Sequence, residues 1–281
     1  MSPRRPAVVI ALCVAALVGF AANSLLCRAA LGARAIDAAS FTAIRLGAGA
    51  LVLVVLAGRN APRTGSWASG GALFAYAAAF SFAYLRLATA TGALILFASV
   101  QATMIGWGVA RGERPRVVEW LGFAIAGGGL VVLTLPGLAA PDPLGAGLMA
   151  LAGIAWGIYS LRGRGAANPL AVTADNFARS LPLAAALLLA IPIAGGQLST
   201  EGVLLAVASG AIASGVGYSL WYAALPSLRA TRAAIIQLAV PVLAATGGAL
   251  VLGEVVTLRL AGATLAILGG IALAVIAKQR P

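Results

Sequence analysis

Residues 7–27, AVVIALCVAALVGFAANSLLC, run without a single charge. A helix crosses a hydrocarbon core of about 30 Å with roughly 20 apolar residues, so this run is long enough to span a bilayer. Arg4 and Arg5 ahead of it imitate the basic start of a secretory signal. The run is too long for a cleaved apolar core, however, and no small-residue exit leading into a soluble domain follows, so it reads as the first membrane span.

Working outward, nine more stretches qualify: about 37–57, 67–85, 88–110, 117–136, 144–161, 170–194, 202–225, 230–252 and 256–277. The breaks between them are short and carry turn residues, such as Gly58 to Arg63, Pro141-Asp142-Pro143 and Gly163-Arg164-Gly165. They leave no room for a separate soluble domain. Composition agrees, with 62% hydrophobic and 9% charged residues against roughly 25% charged in soluble domains. The expectation is an all-α integral membrane protein of ten transmembrane helices.

The basic excess, 19 Lys and Arg against 7 Asp and Glu, has a topological reading. With both termini in the cytoplasm, the inner segments hold Arg4, Arg5, Arg59, Arg63, Arg111, Arg114, Arg116, Arg162, Arg164, Arg229, Arg232, Lys278 and Arg280. The outer segments hold only Arg28, Arg34, Arg86 and Arg259, and Arg45 and Arg179 fall within spans. That bias predicts cytoplasmic termini in a bacterial-type inner membrane. The arginines form no contiguous stripe interleaved with aromatics, so no nucleic-acid partner is expected. Cys13 and Cys27, roughly 21 Å apart on one helix, cannot bridge each other. With no histidine in the chain they form no plausible zinc set, and neither metal nor cofactor is expected.

Five spans is an odd number, so two tandem copies of a five-helix unit must enter the membrane from opposite sides. Gly112-Glu113 and Gly253-Glu254 stand near the ends of the fourth and ninth spans, ahead of Leu121-Gly122 and Ala261-Gly262. Tyr84 matches Tyr222, Phe80 matches Tyr218, Arg45 matches Arg179 and Thr42 matches Asn176. Phe20, Asn23 and Ser24 match Trp156, Tyr159 and Ser160. The ordered succession predicts a 5+5 inverted repeat, with halves at residues 1–140 and 141–281.

The segment Leu225-Pro226-Ser227-Leu228-Arg229-Ala230-Thr231-Arg232-Ala233-Ala234-Ile235-Ile236-Gln237-Leu238-Ala239-Val240-Pro241-Val242, running on to Leu252-Gly253-Glu254, resembles the EamA family of the drug/metabolite transporter superfamily. The first half is a weaker copy, with Gly112-Glu113-Arg114 present but Val100-Gln101 where the family usually places a proline. The resemblance implies a basket of ten helices around a central cavity, alternating access, and export of amino acids or other small metabolites. It names no solute.

Polar side chains are costly in lipid and turn toward the bundle interior or a water-filled path. Phe20, Asn23, Ser24 and Cys27 share one helical face; Gly153, Trp156, Tyr159 and Ser160 share another. Tyr76, Phe80 and Tyr84 form an i, i+4, i+8 line, and Tyr218, Trp221 and Tyr222 gather on the eighth span. From these faces Asn23, Tyr76, Phe80, Tyr84, Trp156, Tyr159, Tyr218, Trp221 and Tyr222, together with Gln101 and Gln237, whose amides can hold a carboxylate or amide, are the candidate solute-binding residues. The competing reading makes the aromatics packing or interface anchors and the glutamines interhelical hydrogen-bond partners. Pro241, mid-span, should kink its helix and free a carbonyl, which either shapes the cavity or is a packed structural kink.

Arg45 and Arg179 each cost about 2.5–3.5 kcal/mol at a span centre on insertion scales. They either gate the path or contact an anionic group, or they snorkel toward the nearer face. Asp175, four residues before Arg179, favours the second reading. Glu113 and Glu254 read as structural. Gly145-x-Gly147-x-x-Ala150 imitates a dinucleotide fingerprint but opens a membrane span, and Gly153-x-x-x-Gly157 is of a spacing that 35 glycines produce often.

Without histidine, and with Asp175 the only acid clearly inside a span, a proton relay is poorly supplied. Facilitated diffusion or exchange is expected, with a proton-coupled exporter of drug-like compounds as the alternative. A channel would show a filter-like segment or charged ring, and an enzyme a nucleophile–base set or metal cluster; neither is visible. The expected partners are a small-molecule solute and the bilayer, with no obligate protein partner.

Overall fold

A computed structural model describes residues 6–58, 61–135, 140–190, 198–228, 233 and 236–277. All regular structure among them is helical. In chain order the helices are α1 (Pro6–Gly32), α2 (Ala38–Ala57), α3 (Trp67–Tyr84), α4 (Thr89–Ala110), α5 (Val117–Thr134), α6 (Pro143–Arg162), α7 (Pro169–Ala190), α8 (Thr200–Ser227), α9 (Ala239–Leu252) and α10 (Leu258–Ala277). Several starts follow from the residue just ahead. Asp37, Ser66, Asp142 and Ser199 each accept a hydrogen bond from an amide of the first turn of α2, α3, α6 and α8, and Pro143 follows Asp142 where its missing N–H costs nothing.

Seven of the described helices, α1, α2, α4, α5, α6, α8 and α10, are long and apolar enough to cross a membrane. The other three depart from the expectation of ten equally apolar spans for readable reasons. Glycines, serines and two tyrosines dilute the hydropathy of α3, and α7 carries Asp175, Arg179 and an internal Pro182. α9 has 14 residues, and residues 229–232, 234 and 235 ahead of it lie outside the described part, as do 191–194 at the end of the expected seventh span. Of the inner-segment basic residues, Arg4, Arg5, Arg59, Arg229, Arg232, Lys278 and Arg280 also lie outside it. Pro241 stands in the first turn of α9, and the helical ladder is interrupted at Leu238 just ahead of it, where the proline ring would meet the carbonyl of the preceding turn.

Each of the seven spans buries half or less of its most apolar window within the protein. The outward faces carry large apolar side chains, among them Val14, Leu51, Val55, Leu204, Ile212, Leu250 and Leu265. Such a surface is stable against hydrocarbon rather than water.

The inward faces pack through small residues. α5 lies so close to α10 that a Cβ on Gly122 would sit 2.5 Å from the Gly270 carbonyl oxygen, and one on Gly270 would sit 2.5 Å from that of Gly122. Gly153 and Gly157 hold α6 against Ser99 and Thr103 of α4, so their spacing is a packing face. Further pairs join α3 to α6, α1 to α8, α1 to α9, α2 to α7, α2 to α8, α3 to α7 and α4 to α9. Within α8, Ser209–Val216 is wound as a π-helix. Gly210 there faces the Arg45 carbonyl of α2, leaving no room for a side chain.

Replacing Gly210 by Ala should therefore force α2 and α8 apart and cost about 1–3 kcal/mol, the usual penalty of overpacking. Gly147, which has nothing within 4 Å of a built Cβ, is the control. Thermal unfolding in detergent should show a lowered midpoint for Gly210→Ala and an unchanged one for Gly147→Ala; equal midpoints would contradict the close approach.

Candidate functional site

A cavity of about 610 Å³ opens among α1, α3, α4, α6, α7 and α8. α1 contributes Phe20, Asn23 and Ser24; α3 contributes Tyr76 and Phe80; α4 contributes Phe97, Gln101 and Met104. α6 adds Trp156, Tyr159 and Ser160, α7 adds Thr173 and Asn176, and α8 adds Ser214, Tyr218, Trp221 and Tyr222. Gln237 completes the wall.

Aromatic rings form a continuous ladder along it. Phe20 meets Tyr218 at 5.5 Å between centroids, Tyr218 stacks on Trp156 at 5.5 Å, and Trp156 meets Tyr76 at 4.8 Å. Tyr76 meets Phe80 at 5.4 Å. These offset and tilted contacts fix the ring planes that a solute would touch.

Two hydrogen-bonded chains interrupt the apolar wall. In the first, Ser209 Oγ donates to Asn23 Oδ1 (2.6 Å), Asn23 Nδ2 donates to Tyr76 Oη (3.4 Å), and Arg45 Nη2 donates to the same Tyr76 oxygen (3.0 Å). In the second, Tyr159 Oη donates to Thr173 Oγ1 (3.4 Å), which donates to Tyr222 Oη (3.0 Å). The π-helical turn matters to the first chain, because Ser209, the donor to Asn23, is its first residue.

Of the residues singled out in the sequence, Asn23, Tyr76, Phe80, Gln101, Trp156, Tyr159, Tyr218, Trp221, Tyr222 and Gln237 line the cavity. Tyr84 does not. It is fully buried beyond Phe80, edge-on at 4.8 Å, with its hydroxyl donating to the Thr89 carbonyl. Arg45 also lies behind the wall, and it does not snorkel: it is 2% exposed, its guanidinium 5.2 Å from the Tyr76 ring centre and 4.8 Å from that of Phe80. Arg179 takes the local arrangement anticipated for it, pairing with Asp175 at 3.3 Å and lying over Trp67. Asp175 in turn accepts the Gly65 N–H (2.8 Å), and neither Asp175 nor Arg179 reaches the cavity wall.

Thr173, Asn176 and Ser209 were not anticipated as site residues. Asn176 carried a signal, as the repeat partner of Thr42, and Thr173 lies three residues before it on the same face. Ser209 carried none.

The cavity reaches one end of the bundle, where Gly163, Arg164, Gly165 and Ala166 join its lining with Leu225 and Leu228. The opposite end is tied shut. Gly253 ends α9 with φ of +65°, which turns Glu254 back so that its N–H meets the Gly248 carbonyl. Its carboxylate then accepts the Thr89 N–H at the start of α4 (2.8 and 3.0 Å) and pairs with Arg28 of α1 at 3.3 Å. Arg28 also donates to the Tyr84 carbonyl of α3. The Glu254–Arg28 pair thus joins four helices. Glu113 repeats the turn, with Gly112 at φ of +91° and the Glu113 N–H on the Gly108 carbonyl.

Helices that turn apolar faces outward and enclose a polar-studded aromatic cavity define a multi-pass membrane protein of the transporter class. Residues 143–276 match the model of the EamA-like transporter family. An uncharacterised protein of Pseudomonas aeruginosa is 57% identical over 268 residues, covering 93% of this chain and 92% of that protein. An uncharacterised transporter of Archaeoglobus fulgidus is 33% identical over 162 residues, 56% of this chain and 57% of its own. A solved crystal structure superposes with a TM-score of 0.65 at 24% identity, over 93% of this chain and 98% of the other, a likeness of fold. The chain belongs to the EamA-like transporter family.

Single cysteines placed in a background lacking Cys13 and Cys27 test the lining. Gln101→Cys, Trp221→Cys and Gln237→Cys should react with a small water-soluble maleimide at least tenfold faster than Tyr84→Cys. Equal rates, or fast labelling at position 84, would contradict the placement of the wall.

Proposed function

We propose that the protein exports amino acids or similar small metabolites by alternating access, as a facilitator or exchanger, from ten membrane spans arranged as a 5+5 inverted repeat around a central solute site. The observation that carries this reading is a cavity lined by both halves, reaching one end of the bundle and held closed at the other by the Glu254 tie. A carrier needs one site and two ends that open in turn. Exchanging each helix for the one five places along supports the repeat: α3 on α6 becomes α8 on α1, α4 on α6 becomes α9 on α1, and α2–α7, α4–α9 and α5–α10 map onto themselves.

The cavity suits a small amphipathic solute, with aromatic faces for its apolar part and Asn23, Gln101, Gln237 and the tyrosine hydroxyls for its polar part. A drug-like cation fits less well, because no Asp or Glu is among the described residues of the wall. Coupling to protons through Asp175 is disfavoured by its commitment to Arg179 and the Gly65 amide. The open end faces the cytoplasm, both termini lie on that side, and the membrane is the plasma membrane.

Counterflow in proteoliposomes against a panel of labelled amino acids tests the proposal. At least one should exchange with saturable kinetics, and Trp156→Ala and Tyr222→Ala should each reduce its flux about tenfold or more. Flux that rises linearly with concentration would indicate a channel, and no exchange of any amino acid would defeat the solute assignment.

A further inference from the structure

Arg45 and Arg179 occupy matching positions in the two halves, yet their surroundings have diverged. Arg179 has Asp175 within 3.3 Å. Arg45 forms no ion pair among the described residues; its Nη1 is buried without a hydrogen-bond partner, and its other contacts are the Tyr76 hydroxyl and two ring faces. Ring faces stabilise a guanidinium but bring no counter-charge. A buried cation without an anion is costly, and one that persists invites a ligand that carries the missing charge.

Tyr76 transmits that demand to the cavity. Its hydroxyl oxygen accepts from both Arg45 Nη2 and Asn23 Nδ2, which leaves its own hydrogen to donate. Among the described residues no acceptor for that hydrogen is hydrogen-bonded to it, and Tyr76 is part of the cavity wall. Two donors on the oxygen, one of them charged, polarise the O–H bond and make it a stronger donor. The rest of the wall agrees in sign: no carboxylate is among its described residues, and Arg164 stands at the open end.

We infer that Tyr76 is the contact for a carboxylate on the transported solute, and that Arg45 is its positioning residue, holding and polarising the hydroxyl from behind the wall. This rests on the carrier reading above and names the solute group that the site selects. The carboxylate supplies the anion that Arg45 lacks, whereas an amine without one would add a second cation next to it. Arg179, already neutralised, takes no part.

The test uses the full chain in nanodiscs, titrated with L-phenylalanine, 3-phenylpropionate and phenethylamine. Emission of Trp156 and Trp221, both in the wall, reports occupancy. Both carboxylates should bind, and phenethylamine should bind at least about tenfold more weakly, the scale of one charge-assisted hydrogen bond. Tyr76→Phe, which removes only the hydroxyl, should weaken both carboxylates about tenfold and leave phenethylamine unchanged. Arg45→Gln should reproduce that loss and Arg45→Lys should restore most of it, a rescue that a purely structural role would not show. Phenethylamine binding as tightly as 3-phenylpropionate, unchanged carboxylate affinity in Tyr76→Phe, or no binding of either carboxylate would each overturn the inference. Should the amine or another solute without a carboxylate still exchange in counterflow, the carrier reading stands and only this assignment falls.

Discussion

A bilayer interior supplies no hydrogen-bond partners, so every backbone amide and carbonyl that enters it must be satisfied within the protein. The constraint explains why the described regular structure is helical throughout, and it gives meaning to the places where a helix is interrupted. Those places border the cavity. The π-helical turn of α8 starts at Ser209, which supplies the hydroxyl that orients Asn23, and the break at Leu238 follows Gln237 in the cavity wall. Irregular backbone is tolerated at membrane depth where it is buried in protein or lines a cavity.

The same constraint governs the charges. A guanidinium in the bundle needs neighbours that replace water, and Arg45 and Arg179 found different ones. Arg179 took a carboxylate one turn back and a tryptophan face, which spends its charge on joining α7 to α3. Arg45 took a phenol and two rings, which leaves its charge uncompensated among the described residues around the cavity. Two buried arginines with different partners thus leave the surroundings of the cavity electrostatically lopsided. The Glu254 tie shows a third solution, a carboxylate that turns back at a glycine, caps the start of α4 and pairs with Arg28.

Much of this was legible in the residues. Apolar runs of about 20 residues locate helices well because burial in lipid depends on length and hydropathy alone, and the expected 37–57, 88–110 and 144–161 agree with α2, α4 and α6 to within one residue at each end. Helical periodicity likewise placed Asn23, Trp156, Tyr159 and Tyr218 on faces that meet at the cavity. Periodicity gives a face but not a depth. Tyr84 shares the face of Tyr76, yet eight residues of rise, about 12 Å, carry it past the end of the chamber to the Glu254 tie. The environment of Arg45 was hidden for a related reason. Whether an arginine snorkels or stays buried depends on what neighbouring helices place around it, here Tyr76 and Phe80 from another helix. The π-helical turn had no local signature; within it Gly210 lies against the α2 backbone.

The proposed carrier has a solute cavity and two ends that open alternately. Pulsed electron-spin distance measurements on paired labels test it directly, one pair spanning α1 and α9 near Arg28 and Glu254, the other spanning α6 and α8 near Gly165 and Leu228. With an exchanged solute at saturation, the first distance should lengthen in the same population in which the second shortens. Two distances that change together, or a first distance that stays fixed at every solute concentration, would contradict alternating access around this cavity.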